Sequence, residues 1–96
     1  MQMITRKYSG SGTKELFDLL EKHAADVESL LRSVEGFVSY TLARSGIGGF
    51  SVTVCQDQAG IDESTKRAKD WIAKNAANMD AGAPEVSVGE VILYLK

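Results

Sequence analysis

Apolar residues recur along this chain with two periods, and the switches between them mark out six elements. Gln2 to Tyr8 is short, carries the β-favouring Ile4, Thr5 and Tyr8, and stops at Ser9-Gly10-Ser11-Gly12, which predicts a first strand. Thr13 is the candidate N-cap of a helix, with Glu15 in its first turn. Leu16, Leu19, Leu20, Val27, Leu30, Leu31 and Val34 then fall at offsets 0, 3, 4, 11, 14, 15 and 18, the stripe of an amphipathic helix. His23 fills the missing offset of 7, so a continuous helix turns its imidazole toward the sheet. Gly36 is placed to end that helix as its C′ residue.

From Phe37 the period becomes two. Phe37, Ser39, Thr41 and Ala43 share one face of a second strand, and Val38, Tyr40 and Leu42 share the other. In a third strand Phe50, Val52 and Val54 oppose Ser51, Thr53 and Cys55, with Gly46-Ile47-Gly48-Gly49 as the hairpin turn between the two. A second helix starts between Asp57 and Asp62. Ile61, Thr65, Ala68, Ile72, Ala76 and Met79 form its stripe, and Ser64, Trp71 and Asn75 flank it. Asp80 to Glu85, with Gly82 and Pro84, is a loop, and Val86 to Leu95 reads as a fourth strand.

The order is β-α-β-β-α-β in 96 residues, expected as one domain over 1–96. Two right-handed crossovers joined by a hairpin give a ferredoxin-like α+β sandwich: a four-stranded antiparallel sheet with two helices on one face. The second and third strands carry no charged face, and the last strand is a long apolar edge. A second copy of the chain would cover both, which predicts a homodimer.

Composition narrows the partners. Net charge is −2, so the whole-molecule field draws in neither nucleic acid nor anionic lipid. An RNA-recognition domain shares the element order. Setting Phe50 at its second aromatic position, however, puts Gly48 and Thr53 where the other aromatics belong. No apolar run is long enough for a membrane span, and residues 1–6 carry no apolar signal core, so the expected location is cytoplasmic. Cys55 is the only cysteine and lies in an alternating strand, as an inert buried thiol would; no disulfide or thiolate metal cluster can be built on it.

Gly36-Phe37 opening the second strand, Tyr40 within it, and a third strand running through Asp57 into a helix bearing Trp71 form a recognisable set. In these residues, and in element order and length over the whole chain, the sequence resembles the dimeric α+β barrel proteins. That group includes the antibiotic-biosynthesis monooxygenase-like (ABM-like) family. The resemblance implies a homodimer whose two sheets form a barrel, with a pocket in each subunit between helices and sheet. Some members of that family oxidise quinol-like aromatics with neither metal nor flavin, some degrade haem, and others are regulators or have no known activity. Haem-degrading members use an Asn on the first strand with a Trp and a later His on the second helix. Trp71 matches the Trp, but Thr5 or Arg6 stands in the Asn region and no histidine follows Trp71. Haem degradation is therefore not expected.

His23 is the candidate catalytic residue, a base or orienting group for an acidic phenol, with a hydrogen-bonded core imidazole as the alternative. Trp71, Asn75, Ser64 and Tyr40 are the candidate ligand-binding residues, giving an aromatic surface with polar handles, against a plain packing role. A lone histidine makes no metal site, and no cofactor is expected. The glycine-rich turn Ser9 to Lys14 has the spacing of no phosphate-binding motif. Two functions follow: a cofactor-independent monooxygenase-like enzyme with a pocket for a small hydrophobic or aromatic molecule, or a non-catalytic ligand-binding or protein-interaction dimer.

Overall fold

The computed structural model describes residues 1–46, 48–76 and 82–96. Four strands, β1 (Gln2–Tyr8), β2 (Phe37–Ser45), β3 (Gly48–Cys55) and β4 (Glu85–Glu90), pair antiparallel in the order β2-β3-β1-β4. Three helices complete the chain: α1 (Thr13–Lys22), α2 (Ala24–Arg32) and α3 (Gln58–Asn75). This is the ferredoxin-like α+β architecture that the periodicity predicts. Among the described residues no helix is long and apolar enough to cross a membrane.

Ile4 packs with Cys55 and Ile61 of α3, which identifies its face of the sheet as the helix-covered one. Register partners share a face, so Arg6 with Ser51 and Tyr8 with Gly49 also point toward the helices. The main core lies there: Leu16, Phe17 and Leu20 of α1 meet Val27 and Leu31 of α2 and Ala76, with Tyr8, Phe37, Tyr40, Leu42, Trp71 and Ile72 packed around them. Cys55 is fully buried, as an inert thiol would be. Desolvation raises its pKa, the Asp57 charge adds to this, and Arg6 pulls the other way.

Several local expectations are corrected. The first helix is not continuous: it breaks at His23 into α1 and α2. The break leaves the polar ring partly exposed, where burying it in the stripe would cost its hydration. Gly12, at φ +82°, and not Thr13, precedes the first helical residue, and Thr13 is itself buried with its hydroxyl unpartnered. Gly36 (φ +84°) sits in the turn closed by the Phe37 N–H on the Val34 carbonyl, beyond the helix end at Arg32. A bulge between Phe37 and Ser39 returns Phe37 to the helix-covered face beside Tyr40 and Leu42, away from Ser39. On the face turned from the helices the second and third strands carry no charge, but the first and fourth do, where Lys7 and Glu85 stand opposite each other.

The fourth strand ends at Glu90, not Leu95. Its last rung is Gln2 with Glu90, followed by one bond from the Val91 N–H to the Met1 carbonyl. Beyond that the segment has no register partner in β1, and Ile92, Leu93 and Leu95 are largely exposed. Ile47 of the hairpin turn, Met79 of the helical stripe and the start of the loop at Asp80 lie outside the described residues.

Two contacts lock the layers in place. A Cβ on Gly49 would overlap the Phe17 ring and stand 2.5 Å from the Ala43 carbonyl, so the close approach of α1 to β3 requires glycine there. The Asp57 carboxylate accepts from the Gly60 N–H at 2.9 Å and caps α3. Gly49→Ala is expected to lower stability by about 1–3 kcal/mol, read as a shifted urea midpoint. Asp57→Ala should cost about 1 kcal/mol in the same assay, with Asp57→Ser close to the unmodified protein.

Candidate functional site

Two hollows border the core. The larger is an open cleft of about 700 Å³ at the β2 edge, walled by α1 and α2, floored by Phe37, Tyr40 and Leu42, and bounded at one end by Tyr94 and Lys96. The smaller lies between the helices and the sheet and holds about 30 Å³, the space of a single water molecule. Leu20, Val27, Leu31, Tyr40 and Leu42 line both hollows and form the partition between them.

The inner cavity follows from the alternation of β1. With Ile4 facing the helices, Arg6 and Tyr8 must face them too, and β3 brings Ser51 opposite Arg6. Arg6 is only 7% exposed. Its Nη2 donates to Thr65 Oγ1 at 2.5 Å, and that hydroxyl donates in turn to the Ile61 carbonyl at 2.9 Å. Among the described residues no carboxylate stands within ion-pair distance of the guanidinium. Burial pushes the Tyr8 phenol up, with Arg6 opposing. Burial also raises the Tyr40 phenol; Tyr8 adds to the rise, while Arg6 and Ser51 work against it. Both phenols are therefore neutral donors near neutral pH. A buried cation beside two neutral phenols lowers the energy of a negative oxygen placed among them.

Of the residues expected from sequence, Tyr40 and Trp71 meet at this inner cavity. His23 does not face the sheet. It sits at the α1–α2 break, its side chain 36% exposed, with Nδ1 3.4 Å from the Asp26 carboxylate and its ring edge-on to Trp71 at 6.0 Å. It lines neither hollow. Asn75 is exposed and its amide donates to the Trp71 carbonyl at 2.9 Å, within its own helix. Ser64 is fully buried, donates to the Ile61 carbonyl at 2.8 Å and reaches neither hollow. Arg6, Tyr8 and Ser51 escaped the sequence reading, although counting in twos from Ile4 puts the first two on the covered face. Among the described residues no group of three or more His, Cys, Asp or Glu could hold a metal.

No protein-family sequence model matches the chain, and no curated protein matches it in sequence. Solved structures do. A protein of unknown function from Nitrosomonas europaea superposes with a TM-score of 0.72 at 16% identity, over 99% of this chain and 91% of that one. A Streptomyces coelicolor monooxygenase from the gene ActVA-Orf6, solved with the ligand nanaomycin D, gives 0.64 at 17% identity, over 99% and 90%. SnoaB, a cofactor-independent oxygenase from Streptomyces nogalater, gives 0.62 at 15%, over 98% and 94%. The chain thus has the fold of the ABM-like α+β proteins, some of them oxygenases and some of unknown function.

Proposed function

We propose that this chain is a homodimeric protein that takes a small hydrophobic or aromatic molecule into the β2-edge cleft and acts on it as a cofactor-independent monooxygenase. The observation that carries the reading is the cleft itself. Its volume of about 700 Å³ suits a polycyclic aromatic, its floor is Phe37, Tyr40 and Leu42, and one partition separates it from the buried guanidinium. A quinol-type ring that has lost its phenolic proton can give an electron to O₂ without a metal or flavin. Joining the resulting pair forms a C–O bond, and loss of water from the peroxide with the geminal C–H proton leaves a quinone carbonyl. The protein then has to hold the ring, favour its anion and accept a proton. Tyr40, on the cleft floor, is the ligand-contacting residue in this reading; Trp71 lines only the inner cavity behind the partition, and His23, which lines neither hollow, is an orienting group acting through its edge-on contact with Trp71. Asn75 and Ser64, both engaged with carbonyls of α3, drop out of it.

A second reading, a non-catalytic ligand-binding dimer, is favoured by one observation: neither the cleft nor the inner cavity is lined by a histidine among the described residues. The homodimer is supported in both readings by the sheet face that bears Phe50 and Val52 away from the helices, and by the apolar residues 92–95 outside the strand ladder.

Incubation of the protein with anthrone under oxygen, with no metal or flavin added, is expected to yield anthraquinone carrying one oxygen atom from O₂. His23→Ala should slow that reaction by about tenfold at most, since the imidazole acts only through Trp71; a loss of about 10²–10⁴-fold would instead make it the base. Binding without turnover would leave the second reading standing. Sedimentation at micromolar concentration should show a dimer, and a lone 10.4 kDa particle would overturn the assembly.

A further inference from the structure

We infer that Arg6 is an anion receptor: the inner cavity takes the ionised oxygen of an acidic ligand, a phenolate, enolate or carboxylate, between the guanidinium and the hydroxyls of Tyr8 and Tyr40. The inference deepens the ligand-binding reading above and rests on it. A guanidinium has five N–H donors, and burying one without compensation is costly. Here a single bond is recorded, to a neutral threonine hydroxyl, and no carboxylate balances the charge among the described residues. No guanidinium nitrogen is both fully enclosed and without a partner; the side chain is 7% exposed, lacks a carboxylate partner among the described residues and lines a cavity.

The surroundings have the same sense. Both cavity phenols are neutral donors near neutral pH, Ser51 adds a hydroxyl, and the remaining lining is aliphatic or the Trp71 ring. Nothing in that lining repels an anion, and the low polarity around it strengthens each charge-assisted bond. At about 30 Å³ the cavity accepts one oxygen-bearing group and no more, so the hydrophobic body of the ligand has to lie on the cleft side. Tyr40 and Leu42 belong to both linings, and a shift of these two side chains joins the hollows. The ligand class is thus an aromatic or aliphatic body carrying one ionised oxygen at its end.

The test uses two probes of equal shape, 2-naphthoate and its neutral amide, 2-naphthamide, titrated by calorimetry and by Trp71 fluorescence. The intact protein should bind the anion about tenfold or more tightly than the amide, and Arg6→Met should abolish that preference while still binding the amide. Arg6→Lys should keep part of it, since a cation remains without the planar fork. The thermal midpoint of unliganded Arg6→Met should equal or exceed that of the unmodified protein, because a buried charge without a counter-ion has been removed; a clear drop would mark Arg6 as structural and overturn the inference. Equal binding of the two probes by the intact protein, or an anion preference that survives Arg6→Met, also overturns it while leaving the ligand pocket intact. If neither probe binds, the pocket reading falls and the receptor falls with it. Should Arg6→Met fail to fold, the preference of the intact protein and its reduction in Arg6→Lys decide the matter.

Discussion

Strand β1 is paired on both sides, to β3 and to β4, and its inward side chains must therefore be met by whatever covers the sheet. That single constraint organises the molecule. Ile4 anchors the Cys55–Ile61 cluster, Tyr8 meets Phe17 edge-to-face at 5.8 Å, and Arg6 between them is carried into the interior whether or not an acid is there to receive it. Two residues of ordinary core chemistry thus hold a third in an environment that its charge would not choose. The helix layer follows: Gly49 lets Phe17 come down onto the sheet beside Tyr8, and α3 brings the Thr65 hydroxyl to the guanidinium.

Much of this architecture was legible from spacing alone. The period of two in residues 37–45 and 48–55, the glycines between them, and the stripe of Ile61, Thr65, Ala68 and Ile72 fix the element order. What spacing could not supply was the state of individual ends. The offsets from Leu16 to Val34 remain in phase across His23, so a break there leaves no trace in the apolar pattern. The bulge after Phe37 inserts one residue and reverses a face, which alternation read from the far end of the strand cannot reveal. Val91 to Leu95 is apolar enough to be a strand, but a strand also needs a partner, and that is a property of another segment.

The candidate site was legible in part, and for uneven reasons. Tyr40 and Trp71 are large aromatics on strand and helix faces and do meet at the cavity. Asn75 and Ser64 were attractive as polar groups near Trp71, yet each has its hydrogen bond within α3, as short polar side chains in helices commonly do. A cation in a short N-terminal strand is usually a solvated one, which hides Arg6 in the sequence; its position two residues from Ile4 is the contrary signal.

The interruption at His23 divides the wall between the two hollows. Leu20 belongs to α1, whereas Val27 and Leu31 belong to α2. The wall is therefore a seam between two short rods and not the flank of one long one. The angle between those rods, tied together through the His23 N–H on the Leu19 carbonyl and the Val27 N–H on the His23 carbonyl, sets how closely the wall closes over Tyr40 and Leu42.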